Sequence, residues 1–438
     1  MIHAMFSVTL SGLLRRPLRL AGCWLLAYAL APSLALGQFS QYVTPGTLDE
    51  TPQRIGPLLK EAMAASPWRA GRLHLSPAFE LRELAYDSNV GNRQSEPKVS
   101  DVTATVAVGL RSYLPFGSDL VFAMHALPEY VAWNRLDERN DVNGRYGLGV
   151  FGPLGPLDLH ASVTRVDDDR FLSRELEDRI DSREIGADLA LDFHFPKGFE
   201  LFTLSSLREI DYVRSEENTS LTRLNREDTS IRLGLRRQLT GGVVLSLGVE
   251  DREADFDNPG ALATSSGTSP FGELRYQGKR LTLSTELVAQ TLDFDNAPDF
   301  EYDTLLGRFS SVWSPLPFLE FQLYGNRNLV YALDSQWTFF EDQNLGFGLV
   351  SSLGSRAVAR LFVESGDNDY TSLGNNPLLR SDDFDVLGGD LLLKLGRVTV
   401  ELAISETEFD SNIESFDRTV NNITINLVFG ERFKSPWG

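Results

Sequence analysis

The sequence predicts an all-β protein: a transmembrane, antiparallel, up-and-down β-barrel of about 18 strands. Three observations predict it. From Arg72 to Phe433, segments of roughly 10–15 residues alternate apolar with polar side chains. Short turns and long acidic connections separate those segments in regular alternation. Beyond the N-terminal stretch, no apolar run reaches the ~18 residues that a membrane helix needs. A spanning strand needs only about 9–11 residues, with one face on lipid and the other on a wet interior.

The N-terminus comes first. Arg15, Arg16 and Arg19 precede an apolar stretch from Ala21 to Leu36, and Ala35-Leu36-Gly37 offers a small-residue cleavage site. Residues 1–37 therefore read as a secretory signal peptide cut before Gln38. The alternative, an uncleaved membrane anchor, fits a longer apolar run better. The single cysteine, Cys23, lies inside this stretch, so disulfides and thiol catalysis are not expected of the mature chain. Cys23 is not placed to carry a lipoprotein anchor either.

Residues 38–71 differ in texture. Pro45, Pro52, Pro57 and Pro67 break them up, and Leu58 to Ala65 predicts a short helix. This segment reads as a periplasmic lead-in. Its helix is large enough to fill part of a barrel mouth, and far too short for the plug domain of an energised transporter.

Residues 72–438 form the barrel. Short turns are predicted at Pro115–Ser118, Pro153–Pro156, Pro196–Gly198, Gly241–Gly242, Gln277–Lys279, Ser314–Pro317, Gly354–Ser355 and Gly396–Arg397. Gly and Pro supply the backbone angles of tight reversals. Long loops are predicted near Ser88–Ser100, Arg135–Asp141, Asp167–Asp181, Ser215–Arg226, Phe256–Thr268, Asp295–Glu301, Asp334–Phe340, Gly366–Ser381 and Asp410–Asp417. Outer-membrane barrels place short turns in the periplasm and long loops outside. An even strand number returns the chain to the side on which it began.

Side-chain period 2 assigns the faces. Ile423, Ile425, Leu427 and Phe429 oppose Thr424 and Asn426. Val398, Val400, Leu402 and Ile404 oppose Thr399, Glu401 and Ser405. Leu281, Leu283 and Leu287 oppose Thr282, Ser284, Glu286 and Gln290. Leu319, Phe321 and Leu323 oppose Glu320, Gln322, Asn326 and Asn328. The first set of each is expected on lipid and the second in the lumen. A two-sheet sandwich would reverse that meaning, but so many strands without edges call for closure. Tyr113 with Phe116, Phe193 with Phe195, Trp313 with Phe318 and Tyr331 with Trp337 are expected in interfacial aromatic girdles. The stretch Thr424 to Phe433 resembles the last-strand signal read by barrel assembly machinery, although the chain continues to Gly438.

Ten charged residues are expected to line the lumen: Asp188, Asp192, Arg232, Arg236, Glu250, Arg252, Glu286, Glu320, Lys394 and Glu401. Such side chains set ion selectivity in some barrels. In others they form ladders of ion pairs that fill and stiffen the interior. The net charge of −20 and a pI of 4.7 argue against nucleic acid. Residues 167–181 carry seven acidic and three basic side chains, and acidic pairs flank another loop at Gly366–Tyr370 and Asp382–Asp385. Carboxylates so spaced can hold calcium, but neither set completes a calcium-loop pattern, so solvated loops are expected. No nucleotide, phosphate or zinc pattern occurs, and no cofactor is expected. His160 with Ser162 and Asp192 with His194 hint at a hydrolase, but nothing around them resembles an enzyme signature.

One resemblance goes further. Pro77, Tyr86, Asp87, Asn89, Val90 and Asp101 form a phrase of proline, alternating strand and Tyr-Asp-x-Asn-hydrophobic. It resembles the first hairpin of the β-barrel porin type 2 family. That resemblance implies an outer-membrane protein, in some members associated with exopolysaccharide synthesis and export, and it brings no catalytic residues. The expected role is passage of polar solutes or polysaccharide across the outer membrane. The alternative is a closed structural or surface-interaction barrel working through its loops. Expected partners are outer-membrane lipid, the assembly machinery and, for an exporter, a periplasmic partner.

Overall fold

The computed structural model describes residues 55–87, 100–117, 119–171, 175, 179–212, 219–257, 264–373 and 379–429. The predicted signal peptide, the first half of the lead-in, residues 88–99 of the first long loop and the chain after Phe429 lie outside them.

The described chain opens with helix α1, Ile55–Ala65. Pro57 sits in its first turn, where a missing N–H costs nothing. Pro67 ends it, and the Ser66 hydroxyl donates back to the Ala62 carbonyl at 2.9 Å. A three-residue strand β1, Trp68–Ala70, then pairs with the start of β2, Leu73–Asp87.

The remaining strands follow as a meander. They are β3 Asp101–Phe116, β4 Leu120–Trp133, β5 Asp141–Leu154, β6 Leu157–Phe171 and β7 Arg179–Phe195. Next come β8 Phe199–Tyr212, β9 Arg226–Gln238, β10 Val243–Phe256, β11 Ser265–Gln277 and β12 Leu281–Phe294. The last are β13 Glu301–Leu316, β14 Leu319–Tyr331, β15 Phe339–Leu353, β16 Ala357–Thr371, β17 Ser381–Leu395, β18 Val398–Ser411 and β19 Arg418–Phe429. Each strand from β2 onward pairs antiparallel with its sequence neighbours. β19 pairs back onto β2, with Val428 opposite Glu80, and closes an 18-stranded barrel. Closure removes both sheet edges, so each of the 18 strands has a partner on either side.

The seam carries a bulge between Arg82 and Ala85. Glu83 takes a positive φ of 53° there, and its N–H donates to Asn426 Oδ1 at 2.8 Å. The eight short reversals fall where the Gly/Pro signals place them. At Gly242 only glycine fits: φ is 81°, and a Cβ would lie 2.3 Å from the Gln277 carbonyl.

Alternation places apolar side chains outward. Leu245, Leu247 and Val249 on β10, Ile231, Leu233 and Leu235 on β9, and Leu402 and Ile404 on β18 are exposed. Charged and polar residues of the opposite parity face in. Among the described residues no helix is long and apolar enough to span a membrane. An apolar belt around a polar interior is the arrangement of an outer-membrane-type β-barrel.

Two expectations need correction. Several acidic stretches predicted as loops continue the strands. Asp167 and Asp168 belong to β6 and Gly366–Tyr370 to β16, while Asp382–Asp385, expected to flank the loop, lies in β17. The ladder outruns the apolar belt: Asp367 pairs with Asp383, and Asn368 with Asp382. Backbone pairing does not need an apolar face, so it persists into water once a hairpin has formed. The second correction concerns the girdles. Phe116, Phe193, Phe195, Trp313 and Phe318 are exposed on the outer surface as expected, whereas Tyr113, Tyr331 and Trp337 are buried. Tyr113 shares the inward parity of Arg111. Tyr331 and Trp337 belong to a hairpin tip that folds inward.

Candidate functional site

The candidate site is the barrel interior. It lies between α1 at the short-turn end and an inward-folded hairpin at the long-connection end.

At the short-turn end, Leu59 of α1 is buried against Tyr113, Val121, Ala123 and Phe151, with Ala62 and Met63 beside it. These barrel residues have inward parity, so the helix sits inside the mouth. His74 Nδ1 lies 2.9 Å from the Met63 carbonyl and ties the helix to β2.

Above the helix the wall is charged. On the β7–β13 side, Arg232 bridges Glu286 at 2.6 Å and Glu250 at 2.8 Å. Arg252 reaches the second oxygen of Glu250 at 2.5 Å, and Arg308 lies 3.8 Å from Glu286. Register explains the cluster: Glu250 is directly opposite Arg232, and Glu286 directly opposite Arg308. Nearer the short turns, Arg236 faces Asp192 at 3.5 Å and Glu200 at 3.3 Å. Arg208 holds Asp188 at 2.8 Å and Glu184 at 3.2 Å. Arg232 lies over Phe271 and Arg236 over Phe202, their guanidinium carbons 5.1 Å and 4.6 Å from the ring centres.

Of the ten residues expected in the lumen, Arg232, Glu250, Arg252 and Glu286 come together in one network. Asp192 and Arg236 meet in a second, and Asp188 joins Arg208 in a third. Glu401 accepts a hydrogen bond from Asn426 at 3.2 Å on the far wall. Glu320 and Lys394 lie beside short turns on β14 and β17, apart from these networks.

Sequence reasoning missed the opposite wall. There Arg82 pairs with Glu129 and, at 3.6 Å, with Glu80, while Arg145 pairs with Asp168 at 3.1 Å. Arg360 pairs with Asp390 at 2.5 Å across β16 and β17. Inward parity within each strand could have found them.

The two histidine pairs lie near the short turns, not at the outer rim. His160 Nε2 is 3.1 Å from Ser162 Oγ, with its ring packed on Phe151. His194 faces Asp158 at 2.9 Å and Glu200, its direct partner across β7 and β8, at 3.3 Å. Among the described residues no group of three or more His, Cys, Asp or Glu converges on a metal position.

The long-connection end is built differently. Pairing between β13 and β14 stops at Gly307–Arg327, while β14 and β15 stay paired up to Tyr331–Phe339. Freed from β13, the β14–β15 tip turns into the barrel and is buried on both faces. One face puts Leu329, Tyr331 and Phe339 against Phe256, Leu292, Phe294 and Tyr302 of the inner wall. Phe339 stacks on Phe294 with ring centres 5.6 Å apart, and Tyr331 meets Phe256 edge-on at 4.9 Å. The other face puts Val330, Trp337 and Phe340 against Tyr370 and Phe416. The sequence did carry a signal for this. Leu329-Val-Tyr-Ala-Leu333 and Trp337-Thr-Phe-Phe340 lack polar alternation, as strands buried on both faces do.

No protein-family model matches the chain. No curated protein matches it either. Solved structures do. A BenF-like porin from Pseudomonas fluorescens Pf-5 is 10% identical with a TM-score of 0.49, the match covering 82% of this chain and 99% of that one. OccK1 (OpdK) of Pseudomonas aeruginosa is 12% identical with a TM-score of 0.48, covering 81% and 98%. The FrpB iron transporter of Neisseria meningitidis is 9% identical with a TM-score of 0.46; the match covers 76% of this chain and only 61% of the transporter. At these identities the likeness concerns the fold alone.

Proposed function

We propose that the protein is a porin-like channel of the bacterial outer membrane, passing polar solutes along its charged inner wall. The observation that carries this reading is the network of Arg232, Glu250, Glu286 and Arg252, inside a barrel whose outer face is apolar. Fixed charges of both signs replace part of a polar solute's hydration as it passes, which an apolar interior cannot do. Polysaccharide is the finer reading of the cargo, supported by the first-hairpin phrase from Pro77 to Asp101. Lipid around the belt, the assembly machinery and a periplasmic export partner belong to the same proposal.

The filled mouths favour a second reading, a closed barrel that acts through its outer surface. Single-channel conductance of the refolded barrel in a planar bilayer separates the two. Discrete steps with salt-dependent ion preference support the channel. Silence from a folded barrel, even after its mouths are cleared, supports the closed protein.

A further inference from the structure

We propose that the β14–β15 tip, residues 330–340, is the gate of the channel, clamped shut by Glu175 and Arg223 from the facing wall. This inference rests on the channel reading above and assigns its control to named residues.

The clamp is made to the backbone of the tip. The Glu175 carboxylate, in the connection between β6 and β7, accepts the N–H of Leu333 and, at 2.9 Å, the N–H of Asp334. Arg223, in the connection between β8 and β9, donates to the carbonyls of Ala332 at 2.7 Å and Leu333 at 2.9 Å. Tip donors meet carboxyl oxygens and tip acceptors meet a cation. Ala332 and Trp337 donate within the hairpin, to the Thr338 and Asp334 carbonyls, but the Leu333 and Asp334 N–H groups and the Ala332 and Leu333 carbonyls find their partners on the far side of the mouth. Charge-assisted bonds of this kind are the strong ones.

A third contact locks the other flank. Arg380, just before β17, pairs with Asp382 and lies 3.7 Å from Glu175. Its guanidinium carbon sits 3.6 Å from the Phe416 ring centre and 4.1 Å from that of Tyr370. Trp337 of the tip completes this cage at 5.1 Å. Glu175 and Arg380 thus join connections from opposite sides of the barrel through the tip between them.

The fold leaves one side of the tip without a ladder. Above Gly307–Arg327 no ladder binds β14 to β13, so β14 can swing without breaking strand pairs on that side. What holds it is the clamp, the aromatic contacts and, on the other side, the β15–β16 ladder, which runs unbroken to Phe339–Thr371 and is followed by the Thr338 N–H donating to the Thr371 carbonyl at 2.9 Å. That ladder is the hinge, and the unladdered β13 side is the side that opens.

The test is conductance of the full barrel in a planar bilayer, with folding checked by circular dichroism and protease resistance. Wild type is compared with Glu175→Ala, Arg223→Ala, the conservative Glu175→Gln, and a barrel whose residues 332–338 are replaced by a short Gly-Ser link. The gate predicts that the link variant opens fully. It predicts that Glu175→Ala and Arg223→Ala raise open probability about tenfold or more, as loss of a hydrogen bond to a charged group implies. Glu175→Gln, which keeps an accepting oxygen without the charge, should stay near the closed level of wild type. A link variant that conducts no better than an already conducting wild type would overturn the gate and leave the channel standing. Silence from every folded variant would overturn both.

Discussion

Arg232 balances two carboxylates that the packed inner wall almost covers. Glu250 is 1% exposed and Glu286 7%. Removing the arginine leaves both without their main counter-charge, and breaking a buried pair in this way costs about 3–5 kcal/mol. Arg232→Ala should lower the urea midpoint of the refolded barrel at unchanged m-value, and Arg232→Lys should restore only part, because lysine cannot bridge both carboxylates with one planar fork. A wild-type midpoint for Arg232→Ala would mean that the network contributes no net stability. A second residue tests packing. A Cβ on Gly388 would lie 2.3 Å from Phe362 Cζ, because that inward ring lies flat on the neighbouring strand. Gly388→Ala should cost about 1–3 kcal/mol by overpacking, and Phe362→Leu in the same chain should recover much of it. Additive losses would show that ring and glycine are not coupled. At this scale the sequence was readable only in part. Parity on each strand gives the face, so ten charges could be expected in the lumen. Which arginine meets which carboxylate depends on register and barrel curvature, and neither is written in one strand.

The hairpins were the most legible elements. Each short reversal carries Gly or Pro, and each strand between carries period-2 alternation. The β14–β15 tip was not legible as a closure, because its inward turn results from lost pairing with β13, a contact between two different hairpins. Its anchor makes a prediction of its own. Burial pushes the Glu175 carboxyl up to about 7, against the pull of the two backbone N–H groups and of Arg380. Asp334 pushes in the same direction as burial, and Tyr370 and Arg223 also face it. In the undocked tip the group returns to the ordinary carboxylate value near 4.5. The docked state therefore binds the proton more tightly. Its extra stability is complete below about 4.5 and lost as pH rises through about 7. Open probability should rise between pH 5 and pH 8, and Glu175→Gln should flatten that rise. A rise unchanged in Glu175→Gln would assign the pH dependence to another group.

For the molecule as a whole, the membrane reading and a water-borne one make opposite predictions about the outer surface. Leu247 lies at the centre of the exposed apolar run on β10, between Leu245 and Val249, while Asp251 lies on the same outward face one full repeat higher. In water, an arginine at an exposed leucine is close to neutral and often helps solubility. In a bilayer the same change moves a charge into hydrocarbon and costs about 2–4 kcal/mol near the midplane, falling to about 0–1 kcal/mol at the interface. Leu247→Arg should therefore destabilise the barrel in lipid vesicles by several times as much as Asp251→Arg. The difference should shrink in thin or fluid detergent micelles, where the charge reaches water. Ser246→Arg adds a control: Ser246 points inward beside Leu247 and is buried, so its cost should come from crowding and should not depend on the lipid. A depth gradient on the outward face, absent from the inward one, is the signature of a barrel solvated by lipid outside and by its own charges within. Equal costs for Leu247→Arg and Asp251→Arg in vesicles would remove the membrane from the account and, with it, the channel.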